Sequence, residues 1–339
     1  MDSTLLTILF ISLAIVVAVG AFVYEYLEKT GKTRKRYCRH SPLPALSIGT
    51  PFQWLFFRHK QSETTEFTVD IDGRQLVFVV VDDFNKTCML KSGARSSGKL
   101  VVPSVVKRGR KSYTVTKVGQ AAFSECDKLV TVEIPDTVKW MGSIVFYGCT
   151  SLAGVKLPDG IKVLPRGTFA KCESLSEVLI PESVTSFENY PFGGCSSLER
   201  IDIPSGVSEF GDGVFSGCSA LFHVSFPNPS ATLGSGLFKD CVSLRSVSLP
   251  AALKMVPFGT FYGCSSLASI EIPPTVTVIE DRAFKNCTSL DAVVSPPSVG
   301  RIGDEVFYGC SSLRRVLVSN PLAQIGERAF PEGLTISRS

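Results

Sequence analysis

Cysteine and histidine carry much of the nucleophilic, metal-binding and acid–base chemistry open to a protein near neutral pH. In this chain nine of the eleven cysteines (Cys126, Cys149, Cys172, Cys195, Cys218, Cys241, Cys264, Cys287 and Cys310) stand 23 residues apart. Zinc sites need ligands a few residues apart, as in C-x-x-C pairs, and the sequence has none. A catalytic thiol is singled out beside a base, not repeated in equivalent settings. Stacked side chains pointing one way are poorly aimed for the disulfide dihedral, and nine is an odd number. What fits is a buried, reduced thiol, a small apolar group with a weak donor for a corner carbonyl. The three histidines, His40, His59 and His223, form no catalytic constellation. Gly211-Asp212-Gly213 with Gly217 falls at turn positions of the repeat, and phosphate-loop, nucleophile-elbow and kinase patterns are absent. The sequence therefore assigns no catalytic, metal-binding or cofactor-binding residue, and the expectation is a protein that acts without turnover.

The elements holding those cysteines repeat with them. Phenylalanine stands three positions before each, from Phe123 to Phe307, and leucine three positions after each, from Leu129 to Leu313. A fixed period of this length without insertions means one supersecondary unit stacked on itself. The unit reads F-x-x-C-x-S-L-x-x-V-x-I-P-x-x-V-x-x-I, as in residues 261–279. Within it, Leu267-Ala268-Ser269-Ile270-Glu271-Ile272 alternates as a short half-buried strand does, and Pro273 ends it because proline offers no ladder donor. Successive strands then pair in parallel about 4.8 Å apart. Stacking buries what one unit cannot bury alone, at roughly 1.5–3 kcal/mol per large apolar side chain.

The order F-x-x-C-x-S-L-x-x-V-x-I-P-x-x-V resembles the BspA-like, or Treponema-type, leucine-rich repeats. It departs from the commoner L-x-x-L-x-L-x-x-N-x-L form in its proline and in lacking an asparagine ladder. The likeness extends upstream to Leu100-Val101-Val102-Pro103 and Tyr113-Thr114-Val115, as a first turn lengthened by a hairpin. There Pro103 and Pro135 are 32 apart, nine more than one period. The resemblance covers about residues 66–336. It implies a β-rich leucine-rich-repeat solenoid of parallel strands and a binding habit, often at the cell surface, and supplies no catalytic residue.

At 339 residues the chain has room for two ordinary domains, but the repeat makes it one solenoid with an N-terminal attachment. Residues 5–24 contain only Thr7 and Ser12 as polar groups, enough for one transmembrane helix in a lipid bilayer. A cleaved signal peptide is the rival reading, with Ala18-Val19-Gly20 as a passable site. Against it, no Lys or Arg precedes the run, which is also long for a signal sequence. Lys29, Lys32, Arg34, Lys35, Arg36 and Arg39 follow, and the positive-inside rule keeps that flank on a reducing face: cytosol, matrix or stroma. The family's habit points instead to the cell surface. Pro42, Pro44 and Pro51 then forbid a continuous helix, while Phe52, Trp54, Phe56 and Phe57 crowd the end of the linker. That aromatic arm can seat at a membrane interface, dock on a partner, or pack on the first turns.

The expected organisation is an anchor (1–28), a basic and aromatic linker (29–61), a β-rich cap with an extended first repeat (62–119), and the solenoid with its C-terminal cap (120–339). Asp72-Gly73 is a strong hairpin signal. Phe330 keeps the beat, Gly333 replaces the next cysteine, and Leu334-Thr335-Ile336 is expected as the last strand. Residues 1–124 carry a net +9 and residues 125–339 a net −5. The basic patch Lys107, Arg108, Arg110 and Lys111 suits anionic lipid headgroups, an acidic protein surface or plain solvation; no nucleic-acid module is present. Residues flanking each buried strand position point outward on the expected concave face. Glu133, Lys156, Glu177, Arg200, Asp202, Phe222, His223, Glu271 and Arg315 are the candidate partner contacts, with the stretch from Glu177 to His223 foremost. Two functions compete: a membrane-anchored accessory subunit holding protein partners in a membrane assembly, and a surface adhesin or receptor.

Overall fold

The computed structural model describes residues 66–338. The expected anchor (1–28), with its apolar run 5–24, and the arm bearing Phe52, Trp54, Phe56 and Phe57 lie outside the described residues. Among the described residues every regular element is a β-strand, and no helix is long and apolar enough to cross a membrane.

The first part is a cap. β1 (Glu66–Ile71) and β2 (Arg74–Asp82) form the hairpin that Asp72-Gly73 announces, both turn residues having positive φ. β3 (Thr87–Ser92) pairs antiparallel with β2. β4 (Gly98–Val101) leaves this sheet, and β5 (Val105–Arg108) and β6 (Lys111–Val118) return to it as a second hairpin. That hairpin accounts for the lengthened first turn. The cap is continuous with the repeats along two separate lines. β4 pairs in parallel with β7 (Leu129–Glu133), while β6 pairs in parallel with β8 (Trp140–Met141). β9 (Gly154–Lys156) then extends the line of β4 and β7.

Each turn thus offers two strand positions where the sequence pattern suggests one. The second falls on the V-x-x-I segment after the proline. Val163–Leu164, Ser186–Phe187 and Glu209–Phe210 pair there in parallel, as do Met255–Val256, Val278–Ile279, Arg301–Ile302 and Gln324–Ile325. These strands are only two residues long, because the chain turns sharply on either side.

The first line of strands is less regular than the repeat predicts. It runs through β4, β7 and β9 to a single bridge at Leu179, resumes at His223–Ser225 and Ser246–Ser248, and resumes again at Ala292–Ser295, Arg315–Val318 and Ile336–Arg338. Residues 267–272 and 201–203 form no ladder. The strand expected at Leu267–Ile272 is therefore corrected to an extended segment: Ile272 is buried and Ile270 half-buried, so burial alternates without the ladder bonds. The final strand starts at Ile336, not Leu334, because Gly333 still completes a turn with φ 78°.

The corner between the two lines is unbroken. Phe123, Phe146, Phe169, Phe192, Phe215, Phe238, Phe261, Phe284, Phe307 and Phe330 stack ring on ring with centroids 5.1–5.7 Å apart. Interplanar angles along this column stay between 2° and 17°. Each turn reverses direction twice through left-handed residues, one of which precedes the cysteine: Gly148, Gly194, Gly217, Gly263 and Gly309, but also Glu125, Lys171, Asp240 and Asn286. Ile144 occupies the other such position with φ 53°, an expensive conformation for a β-branched side chain. Side chains also bond from turn to turn. The Oδ1 atoms of Asn189 and Asp212 accept the N–H of Asp212 and Ser235 (2.9 and 2.8 Å), and those of Asp281 and Asp304 accept the N–H of Asp304 and Glu327 (3.0 and 2.8 Å). An Asx ladder, which the repeat pattern excludes, is thus present in two stretches.

Candidate binding surface on the strand face

The residues with the richest intrinsic chemistry are sealed inside. From Cys149 to Cys310, each column thiol donates to a phenylalanine carbonyl of the preceding turn. Cys149 Sγ donates to Phe123 O at 3.0 Å, Cys195 to Phe169 O at 3.1 Å and Cys310 to Phe284 O at 3.1 Å. Cys126, at the cap boundary, finds Gly93 O instead, at 3.5 Å. The cysteines among the described residues are free thiols. Burial pushes Cys149 and Cys310 up to about 12, and the fully enclosed Cys195, Cys218 and Cys241 well above the ordinary thiol value. A thiol held neutral is neither nucleophile nor metal ligand. Its work here is to occupy the corner and give a second bond to a carbonyl that already accepts the cysteine N–H of its own turn, as Phe123 O does from Cys126.

Variation lies on the outward positions of the first strand line. Lys156, Glu177, Arg200, Asp202, Phe222, His223, Glu271 and Arg315 are all exposed, while Glu133 is half-buried and held by Lys99 at 3.1 Å. Glu177, Arg200 and Asp202 come together. They rim a recess of about 350 Å³ whose floor is Gly154, Val155, Val178 and Ile201. Leu179 stands beside them, 80% exposed. This is also where the ladder lapses, between Leu179 and His223. Among the described residues no salt bridge involves Glu177, Arg200 or Asp202. The rim therefore presents charges of both signs around an apolar side chain, with a floor low enough to admit a partner's side chain.

The remaining candidates spread out. His223 Nδ1 lies 2.8 Å from Ser246 Oγ, in a smoother stretch beyond the recess. Glu271 stands alone in the second ladder gap. Arg315, 3.5 Å from Asp291, joins a separate recess of about 540 Å³ with Val294, Arg314, Leu317 and Ser337. This second, more apolar recess was missed by sequence reasoning. Its signal was available, since Val294 and Leu317 place apolar residues at outward positions that most other turns give to polar ones.

On another side, sequence reasoning also passed over a cluster centred on Glu305. Its carboxylate accepts from Arg282 and Lys285 (both 2.8 Å), with Arg328 at 3.2 Å, and its side chain is 16% exposed. These cations hold the Glu305 carboxyl below its ordinary value. Lys285 and Arg328 also flank the Tyr308 ring at 4.9 and 4.6 Å. The cluster is internally satisfied and ties consecutive turns.

The basic residues lie at a hairpin tip. Lys107, Arg108, Arg110 and Lys111 are exposed around the β5–β6 turn, where Arg108 pairs with Lys111.

A family-wide sequence profile described as "BspA type Leucine rich repeat region (6 copies)" matches residues 110–222 and 231–337. No curated protein matches the chain. Among solved structures, the T. pallidum leucine-rich repeat protein is 26% identical over 66% of this chain and 91% of that one, with a TM-score of 0.45. A leucine-rich repeat protein from Eubacterium ventriosum is 20% identical over 80% of this chain and 98% of its own, again at 0.45. The pneumococcal vaccine antigen PcpA is 16% identical, with 80% and 88% covered and the same TM-score of 0.45.

Proposed function

This chain belongs to the BspA-type leucine-rich-repeat family, and from that premise we propose that it is a non-enzymatic protein-interaction scaffold, a membrane-anchored accessory subunit that grips a protein partner through its strand face. Repeat proteins of this family point to an interaction or surface role. The finer reading is supported above all by the recess rimmed by Glu177, Arg200 and Asp202 with Leu179 exposed beside it. An apolar side chain within a charged surround matches the apolar-core and polar-rim pattern of an interface. Residues 5–24, long enough to span a bilayer, and the aromatic arm at Phe52, Trp54, Phe56 and Phe57 support attachment to a membrane assembly.

Reversing the rim charges tests the reading. Full-length protein carrying Arg200→Glu with Asp202→Lys, extracted in mild detergent, should lose its co-purifying partner. The thermal midpoint should hardly move, since exposed substitutions shift stability by about 0.5 kcal/mol or less. Unchanged retention would remove the recess from the interface. Turnover of any substrate by the isolated protein would end the non-enzymatic reading.

A further inference from the structure

Two loops of the cap meet at one vertex. The β2–β3 turn, residues 82–86, is wound tightly about Asp82, whose Oδ1 accepts the N–H groups of Phe84 and Asn85 at 2.8 and 2.9 Å. Asp83 then clamps this turn to the β5–β6 hairpin. It accepts from Lys111 Nζ at 2.9 Å and from the Tyr113 hydroxyl at 2.5 Å, with Lys86 Nζ at 3.2 Å. The clamp holds the Asp83 carboxyl far below its ordinary value. Fixed in this way, Phe84 points away from the protein and is 92% exposed. Beside it are Lys86 and Lys111, and along the hairpin Lys107, Arg108 and Arg110: five cations against the two carboxylates that build the turns. Across residues 85–124 there are nine basic residues and no acidic one.

A fully exposed phenylalanine costs solubility, and the turn holds it out rather than letting it fold back. We infer that this vertex docks on an anionic lipid bilayer, with Phe84 entering the interfacial layer and the five cations meeting headgroup phosphates and carboxylates. The chemistry favours a bilayer over an acidic protein. Phe84 is a lone convex knob, which a protein partner must match with a fitted pocket, whereas a lipid interface accepts an aromatic ring anywhere along an anionic plane. The site is distinct from the strand-face recess, and its residues do not enter the proposal for that face.

The test uses the full chain reconstituted in vesicles of phosphatidylcholine alone or mixed with phosphatidylserine, so that any contribution of residues 5–24 is common to both. Phe84→Trp reports position by its fluorescence difference from the parent, and bromine-labelled acyl chains act as the quencher. Quenching of Trp at 84 should be several-fold greater with phosphatidylserine and should fall away in high salt. Lys107→Glu with Arg110→Glu should weaken the salt-sensitive component by at least about tenfold, given the pull of each basic residue on an anionic surface. Equal quenching in both vesicle types, or none, overturns the inference. Loss of a co-purifying acidic protein in the Lys107→Glu, Arg110→Glu variant with quenching intact also overturns it, in favour of a protein partner. Neither result touches the outcome for Arg200 and Asp202.

Discussion

Every turn of this molecule has a corner and a face, and the two are built to opposite rules. At the corner, phenylalanine, cysteine and leucine recur without exception from Phe123 to Leu313, rings stack at 5.1–5.7 Å, and each thiol finds a carbonyl. On the face, the hydrogen-bonded ladder lapses at residues 201–203 and 267–272, yet the turns stay in register. Register across those gaps therefore does not depend on the face ladder, and the unbroken corner maintains it. That division leaves the outward strand positions free to carry Glu177, Arg200, Leu179 or Val294 without cost to the fold.

The steepest test of the contrast is alkaline pH. The column thiols have folded-state values raised above the ordinary 9.0 by burial. An unfolded chain sheds these protons first, so the stabilisation is fully present below pH 9.0 and is lost as pH rises above it. Each thiol exposed in the unfolding unit contributes about 1.4 kcal/mol per pH unit. Urea midpoints should fall steeply above this value, and native protein should resist alkylation until it unfolds. A flat alkaline profile would break the claim that the thiols are sealed. Next comes Phe215→Ala, which should cost about 3–5 kcal/mol through the gap it opens in the stack, measured by urea unfolding. An equally large loss from Leu179→Ser would erase the distinction between corner and face. Cys218→Ser is expected to cost about 1–2 kcal/mol: the hydroxyl can still donate to Phe192 O, but it is a more polar group in a dry corner. Ile144→Gly should run the other way, raising stability by about 1 kcal/mol by relieving a left-handed β-branched residue. The smallest shift, about 0.5 kcal/mol or less, belongs to Arg200→Glu with Asp202→Lys.

Most of the corner is legible in the sequence because its contacts repeat at one spacing: a residue that must meet its own equivalent in the next turn leaves a periodic trace. The parallel stack, the Asp72-Gly73 hairpin and the carbonyl-facing thiols all follow from such local or periodic signals. The second strand line was harder to see, since two residues are too few to show alternation. The Asx ladder was hidden because Asn189, Asp212, Asp281 and Asp304 share the position with residues that cannot accept a bond. The ladder gaps are invisible for the opposite reason: Leu267-Ala268-Ser269-Ile270-Glu271-Ile272 has the same pattern as segments that do pair, and only backbone geometry separates them. On the face, outward direction could be read from alternation, but the gathering of Glu177, Arg200 and Asp202 around one recess coincides with a ladder gap that alternation does not reveal. The knob at Phe84 belongs to a turn that breaks the period, where the repeat offers no guide.

From Cys149 onward the thiol bonds reach back 26 residues, and the paired strands of the stack are 23 apart. Almost every contact in the stack is thus one between neighbouring copies, and no turn needs to know its rank. A whole 23-residue unit can be duplicated or excised in the middle with its two new neighbours meeting through the same bonds, whereas the gain or loss of one residue throws every later phenylalanine out of its column. Reach, in such a molecule, is a matter of copy number: length can be inherited in whole steps, and the recognition surface lengthened or shortened independently of what it recognises.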